Sequence, residues 1–197
     1  VDKTKYITQL VTSSRVYFLS RPRRFGKSLF LSTLSAYFLG KKELFKDLYL
    51  ETAEEELALQ ENRSAWQEYP VLYFDFNIGK YTDSGALNER LNVMLSEAEV
   101  LYGISISKEA QPFFASRFEK LLKGAYLQTG KQVVILVDEY DKPLLQTMGG
   151  NEALNEDYRN TLKAFYSVIK TCDEYIRFAF LIGVTKFSKI SIFSDLN

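Results

Sequence analysis

The sequence predicts a three-layer α/β domain, in which helices cover both faces of a mainly parallel sheet. Short apolar runs typical of strands alternate with longer segments of helical periodicity. The clearest run, Val133–Val137, is an unbroken aliphatic stretch, as expected for a strand buried on both faces. A chain of 197 residues, of which 46% are hydrophobic, is long enough to bury such a core.

Four strands and five helices follow from these patterns. The strands are predicted at Arg15–Leu19, Val71–Phe76, Val133–Val137 and Arg177–Val184. Four helices are predicted at Lys27–Leu39, Leu87–Leu101, Phe114–Ala125 and Glu156–Thr171. The acidic segment Glu51–Glu68 is interpreted as a fifth helix whose charged face is exposed to solvent.

The composition excludes several classes of enzyme. The chain contains no histidine and one cysteine, Cys172, so it offers no Ser-His-Asp triad, no Cys-His dyad and no ordinary zinc or haem site. One cysteine also excludes a disulfide within the chain and is typical of a reducing compartment. Cys172 ends a helical pattern, where we expect a buried, chemically ordinary thiol.

The charge balance indicates no polyanionic or membrane partner. Lysine plus arginine equals aspartate plus glutamate, at 25 each, so nothing steers the chain towards nucleic acid or an anionic membrane. No apolar run approaches the roughly 20 residues of a membrane span, and the first residues do not resemble a signal peptide. These features predict a cytoplasmic protein and leave its oligomeric state open.

The segment after the first strand has the features of a phosphate-binding loop. Gly26-Lys27-Ser28 stands between a strand and a helix, as in the P-loop pattern, although Arg21 occupies the position of that pattern's first glycine. Backbone N–H groups at a helix start attract anions, and Gly26 permits their close approach. Lys27 would neutralise phosphate charge and Ser28 would bind Mg²⁺. The alternative is an ordinary helix start rich in Lys and Ser.

Two carboxylates, Asp138 and Glu139, follow the most apolar strand. Because charge is costly in a core, this pair should lie at the carboxyl edge of the sheet, where ligands bind in open α/β domains. In P-loop enzymes an aspartate at this position holds Mg²⁺ through water and an adjacent glutamate can polarise the attacking water, which are the roles expected of Asp138 and Glu139. In the alternative interpretation both are loop residues, and Asp141 caps the helix that follows Pro143.

The end of the last strand carries a polar residue, Thr185, in the position where some ATPases sense the γ-phosphate; Lys186 is the alternative candidate. In that class of ATPases an additional strand separates the phosphate-loop strand from its sequence neighbour. The expected sheet order is therefore the first strand, the last strand, the Val133–Val137 strand and the Val71–Phe76 strand, with any fifth strand outside the first.

These motifs resemble those of the bacterial AAA-ATPase-like family of P-loop NTPases. The resemblance is carried by Asp2–Thr4, Arg21–Leu29, Leu136–Pro143, Gly183–Lys189 and Ser191–Ser194, and so spans nearly the whole chain. It explains Arg21 in place of the glycine, and it implies ATP rather than another nucleotide, together with Mg²⁺.

The resemblance also implies site residues and further domains. The expected nucleotide contacts are Arg23, Arg24, Phe25, Gly26, Lys27, Ser28 and Leu29, with Ser28 and Asp138 for the metal and Glu139, Lys27 and Thr185 for catalysis. Arg23 and Arg24 either contact phosphate oxygens or bind only carboxylates and water. Similar proteins often continue into a helical lid and a predicted nuclease domain, so residues 1–197 are interpreted as one ATPase-like domain at the start of a longer protein.

Four functions are compatible with the residues. The leading one is an ATPase whose hydrolysis drives a conformational switch. The second is a nucleotide-binding module that regulates a C-terminal effector or protein partner without hydrolysis. The third is a small-molecule kinase, which usually lacks a glutamate directly after the aspartate. Direct nucleic-acid binding is the weakest, because a phosphate loop already accounts for the basic residues near Lys27.

Overall fold

A computed structural model describes residues 2–22, 26–105 and 113–185. The strands are β1 (Val16–Ser20), β2 (Val71–Asp75), β3 (Val133–Asp138) and β4 (Ile176–Gly183). The helices are α1 (Lys5–Ser13), α2 (Lys27–Phe38), α3 (Tyr49–Gln60), α4 (Ala86–Leu101), α5 (Phe114–Thr129), α6 (Lys142–Thr147) and α7 (Glu152–Thr171), and two 3-10 helices span Lys42–Phe45 and Asp173–Tyr175.

The four strands form one parallel sheet in the order β1-β4-β3-β2. This order confirms the predicted one, and the α/β fold class is confirmed with it. The register pairs Ser20 with Gly183 at one end of the sheet, and Asp75 with Asp138 at the same edge. The carboxyl ends of all four strands therefore meet at one edge, which is where the sequence places its polar motifs.

Strand β3 is buried along its whole length, as predicted from its unbroken aliphatic run. Val133, Ile135 and Val137 pack into one core with helices α4, α5 and α7. Val134 and Leu136 face the opposite core, which contains α1, α2 and α3. Because successive side chains of a strand point to opposite faces, a strand covered by helices on both sides must be apolar throughout.

The four helices predicted from the apolar patterns are present as α2, α4, α5 and α7. Helix α7 begins at Glu152, one turn before the predicted start, because the Asn151 side chain accepts a 3.0 Å hydrogen bond from the Leu154 N–H and caps the helix. Helix α1 was not predicted; its inward residues Ile7 and Val11 are buried against the α2 side of the sheet. Cys172 is a buried free thiol, as expected.

The interpretation of Glu51–Glu68 as one exposed helix is wrong in part. Helix α3 ends at Gln60, and the following turn has left-handed backbone at Asn62 and Trp66. Glu54 on this helix is only 1% exposed. Its burial is explained by partners that lie 9 to 17 residues away in the chain and that local charge patterning does not reveal.

Glu54 accepts hydrogen bonds from three directions. The Tyr37 hydroxyl donates to it at 2.6 Å, Arg63 at 2.6 Å and the Trp66 N–H at 3.1 Å. A buried carboxylate is tolerated only when its charge and lone pairs are satisfied in this way. Burial, followed by the Glu54 carboxylate, raises the pKa of Tyr37, so the phenol remains a donor. Glu54 therefore fastens α3 to α2 and to the turn before β2.

No helix in the ranges that the structure describes is long and apolar enough to cross a membrane.

Replacing Glu54 should reveal this role. We expect Glu54→Gln to lower the free energy of unfolding by about 2 kcal/mol, because charge-assisted hydrogen bonds in a buried site are lost. The neighbouring Glu55→Gln is the matched control: Glu55 is about half exposed and pairs with Lys42 on the surface, so a change within about 0.5 kcal/mol is expected. Chemical denaturation measures both, and equal losses would contradict the assignment.

Candidate nucleotide-binding site

The predicted phosphate loop leads directly into helix α2. Gly26 is the residue before the helix and has a φ of 72°. An added Cβ at this position would contact nothing within 4 Å, so the requirement for glycine comes from the left-handed backbone and not from space. Gly26 also has no side chain to cap the first N–H groups of α2, which leaves these donors available to an anion.

Lys27 is the first residue of α2 and is only 6% exposed. Its ammonium group lies 2.9 Å from the Glu139 carboxylate and 3.0 Å from the carbonyl oxygen of Arg21. The helix start after β1 and the acidic end of β3 are therefore in direct contact, although they are far apart in the chain. A buried ammonium needs such partners, because burying a charge without hydrogen bonds or a counter-charge is costly.

Asp138, the last residue of β3, is 2% exposed, and its Oδ1 atom has no hydrogen-bond partner among the described residues. Burial raises the pKa of Asp138 above its usual value, and the nearby carboxylates of Glu139 and Asp75 act in the same direction. A hydrogen bond with Ser28 opposes this shift. The site thus holds a buried carboxylate oxygen without a partner, which is costly unless a cation or a donor meets it.

Glu139 has a left-handed backbone conformation, with a φ of 53°. A residue with a Cβ is strained there, and such strain, of order 1–3 kcal/mol, concentrates at functional sites. The next residue holds the turn in place, because the Tyr140 N–H donates a 3.0 Å hydrogen bond to the carbonyl of Ile182 on β4. The turn directs the Glu139 side chain towards Lys27.

An open cavity of about 530 Å³ lies in front of these groups. It is lined by Gly26, Lys27, Ser28, Leu29, Asn77, Glu139, Lys142 and Gln146. A larger, mainly apolar cavity of about 1060 Å³ covers the outer face of α2 and shares Gly26 and Leu29 with the first. Leu29 is 72% exposed and stands between the two cavities. The polar cavity has the chemistry for a phosphate chain, and the apolar one does not.

Two further residues at this edge, Asp75 and Lys142, were not predicted from the sequence motifs. Asp75 ends β2 beside Asp138, and because register partners in parallel strands point to the same face, both carboxylates lie on the α2 side. Arg90 donates two hydrogen bonds to the Asp75 carbonyl, which fixes this strand end. Lys142 donates to the carbonyl of Asn77 across the cavity mouth. The signal for Asp75 was present in the sequence: β2, like β3, is an apolar run that ends in aspartate.

The structure brings together only some of the residues predicted for the site. Gly26, Lys27, Ser28 and Leu29 line the polar cavity with Glu139. Thr185 follows β4 at the same sheet edge, but its hydroxyl donates to Asp141 at 3.2 Å, and its contact with a γ-phosphate stays a prediction. Arg23, Arg24, Phe25 and Lys186 lie outside the described residues.

The alternative role suggested for Asp141, capping the helix after Pro143, is wrong. Asp141 precedes α6, but its side chain makes no capping hydrogen bond to that helix. Its carboxylate instead accepts from the N–H groups of Val184 and Thr185. Two backbone donors and a hydroxyl from β4 are a better set of partners for a buried carboxylate than one helix-start N–H.

The oxygen atoms at Asp138 and Ser28 are suitable ligands for Mg²⁺. This ion prefers oxygen ligands and keeps several of its waters, so one or two protein oxygens suffice. The Asp138 carboxylate and the Ser28 hydroxyl are such oxygens, and the partnerless Oδ1 marks where positive charge would be favoured. No cluster of three or more acidic or cysteine side chains suited to a metal occurs in the ranges described.

We expect the buried charge of Asp138 to lower the stability of the ligand-free protein. We expect Asp138→Asn to raise the free energy of unfolding at pH 7 by about 1 kcal/mol, because it removes a buried charge that lacks a partner. The raised pKa of the folded carboxylate means that lowering the pH relieves the same cost. The advantage of the variant should therefore shrink as the pH falls towards the ordinary aspartate value of 3.8.

Urea denaturation at several pH values measures this difference. The exposed Asp173, which pairs with Arg15 on the surface, is the control, and Asp173→Asn should not gain stability at pH 7. An Asp138→Asn variant that is less stable than the parent at neutral pH would contradict the electrostatic description of the site.

Comparisons with known proteins identify the family of this chain. Residues 1–193 match a family model described as a predicted AAA-ATPase. The chain is 41% identical over 198 residues to "Uncharacterized protein in vnfD 5'region" of Azotobacter chroococcum mcd 1. The alignment covers 100% of this chain and 36% of that relative, so the chain spans about a third of its length. No solved structure gives a significant match. The chain belongs to the predicted AAA-ATPase family.

Proposed function

We propose that this chain binds ATP with Mg²⁺ in the polar cavity and hydrolyses the terminal phosphate. One observation carries the proposal: Lys27 from the start of α2 and Glu139 from the end of β3 meet at 2.9 Å beside the cavity, next to the buried carboxylate of Asp138. A lysine ammonium, a carboxylate and the free N–H groups at a helix start are the groups that phosphoryl transfer requires, and here they lie together.

Phosphate binding is assigned to the start of α2. The uncapped N–H groups after Gly26 and the positive end of the helix dipole would contact the phosphate oxygens. Lys27 would neutralise charge on the β- and γ-phosphates. We propose that Arg23, Arg24 and Phe25 complete this loop and that Leu29 contacts the nucleotide beyond the phosphates.

Metal binding is assigned to Ser28 and Asp138. When bound there, Mg²⁺ would neutralise charge on the phosphate oxygens. The buried carboxylate of Asp138, whose Oδ1 has no hydrogen-bond partner in the described residues, would gain a cation next to that oxygen. Binding would thus remove a cost that the ligand-free fold carries.

Glu139 is assigned to the attacking water. In the ligand-free site its carboxylate is neutralised by Lys27. Phosphate oxygens compete for that ammonium group, so ATP binding would release the Glu139 carboxylate to orient a water molecule and accept its proton. Exchange of one ion pair for another therefore links nucleotide binding to activation of the base.

We further propose that residues 1–197 form one ATPase domain of a longer protein. The chain spans 36% of the length of the Azotobacter relative. A C-terminal effector, with the nuclease-type domain implied by the resemblance as its candidate, would receive the conformational change that hydrolysis drives. The lid that similar proteins carry would belong to that part as well.

A regulatory module that binds ATP without hydrolysis is the second candidate, and one observation favours it. The described residues that line the polar cavity include Lys27 and Lys142 but no arginine. Hydrolysis in such sites often depends on an arginine that stabilises charge in the transition state. If neither Arg23 nor Arg24 supplies it, another chain segment or subunit would have to.

Thermal unfolding with and without Mg²⁺-ATP tests binding. Ligand at about a hundred times its dissociation constant adds roughly 2.7 kcal/mol, which corresponds to about 5–10 °C for a domain of this size. We expect Lys27→Ala to lose this shift and Lys120→Ala, at an exposed position on α5, to retain it. Equal shifts in both variants would remove Lys27 from the phosphate site.

Hydrolysis is tested by Glu139→Gln, which keeps the size of the side chain and removes the base. Release of inorganic phosphate should fall by about 10²–10⁴-fold, the usual contribution of general base catalysis, while the thermal shift with Mg²⁺-ATP persists. Equal turnover in parent and variant would exclude Glu139 as the base. A parent that binds ATP and releases no phosphate would support the regulatory module instead.

A further inference from the structure

A buried carboxylate outside the roles assigned above lies between β3 and β4. Asp141 is 0% exposed. One of its oxygens accepts from the N–H of Val184 at 2.9 Å and from the N–H of Thr185 at 2.7 Å. The same oxygen accepts from the Thr185 hydroxyl at 3.2 Å. Three donors from the end of β4 thus converge on one side chain that follows β3.

The close approach of Asp141 to β4 depends on Gly183. A Cβ at position 183 would lie 2.6 Å from the Tyr140 ring and 2.7 Å from the Asp141 carboxylate, closer than atoms can pack. The Thr185 carbonyl in turn accepts from the Tyr140 hydroxyl at 3.1 Å and from the Ser20 hydroxyl at 3.2 Å. Residues at the end of β1 and just after β3 therefore hold Thr185, which follows β4.

The hydroxyl of Thr185 has one proton to donate. An ionised carboxylate only accepts, so in the ligand-free protein this proton is used on Asp141. A γ-phosphate oxygen is also an acceptor and needs the same proton. The hydroxyl bond, at 3.2 Å, is longer than the 2.7 Å bond from the Thr185 N–H. The hydroxyl can therefore turn away while the backbone stays held.

We propose that Asp141 is a positioning residue. It holds the backbone by accepting from the N–H groups of Val184 and Thr185, so that the Thr185 hydroxyl can exchange Asp141 for a γ-phosphate as its acceptor. The chain would then distinguish ATP from ADP by one hydrogen bond at the end of β4. This inference rests on the proposed nucleotide site and adds the residue by which that site detects the third phosphate.

The test measures dissociation constants for ATP and ADP in the presence of Mg²⁺, in a Glu139→Gln parent that does not consume ATP. The quantity compared is the ratio of the ADP constant to the ATP constant. We expect Asp141→Asn to lower this ratio about tenfold, because an amide oxygen accepts more weakly than a carboxylate and the amide NH₂ would face the Val184 N–H, donor against donor. Thr185→Val should lower it similarly, and Thr185→Ser should preserve it.

The double variant separates positioning from direct contact. If Asp141 acts through Thr185, Asp141→Asn adds no further loss of discrimination to Thr185→Val. Thr185→Val keeps the side-chain volume and so provides the test even if Asp141→Asn does not fold. Additive losses, or an unchanged ratio in either single variant, would overturn the inference.

A buried carboxylate elsewhere serves as the structural control. Glu99 on α4 pairs with Arg117 on α5 at 2.8 Å and is similarly enclosed. Glu99→Gln should lower the unfolding temperature and leave the nucleotide ratio unchanged, so an equal fall in the ratio would count against a specific role of Asp141. A Glu139→Gln parent that binds neither nucleotide would overturn the proposed function itself, whereas binding of both with an unchanged ratio in Asp141→Asn overturns only this inference.

Discussion

The burial of β3 on both faces constrains where every polar residue after it can lie. Val133–Val137 are enclosed by two cores, and the strand pairs with β2 on one side and β4 on the other. Charge is excluded from such a strand, so Asp138 and Glu139 can follow only at its end. Parallel pairing then brings the ends of β1 and β4 to the same edge, which places Lys27 and Thr185 near the acidic pair.

The charged groups at this edge are only partly neutralised by one another. Lys27 and Glu139 neutralise each other, while Asp138 is buried with an oxygen that lacks a partner among the described residues. Glu139 also sits on strained backbone. The buried carboxylate and the strained backbone cost the ligand-free fold free energy. Under the proposed function, phosphate and Mg²⁺ would relieve these costs or use them. Sites that bind charged ligands commonly lower the stability of the ligand-free protein in this way.

Three buried carboxylates illustrate how partners decide what burial means. Glu54 and Asp141 are enclosed and fully engaged, the first by Tyr37, Arg63 and a backbone N–H, the second by the end of β4. Both connect separate elements of the fold. Local pattern predicted an exposed face for the segment with Glu54, and a helix cap was the alternative interpretation of Asp141. Asp138 is equally enclosed, but one oxygen has no protein partner in the described structure, which is the distinction between a structural carboxylate and a ligand site.

The sequence by itself determined the elements and the edge at which they carry polar residues. Periodicity and apolar runs are local properties, so they located the four strands and the helices α2, α4, α5 and α7, and the motifs at Gly26–Ser28 and Asp138–Glu139 indicated the order of the sheet. Only the tertiary structure decided which side chains meet. The Lys27–Glu139 contact, the burial of Glu54, the place of Asp75 and the attachment of Asp141 to β4 all join residues distant in the chain, and the energy of a charge depends on those neighbours rather than on the residues beside it in sequence.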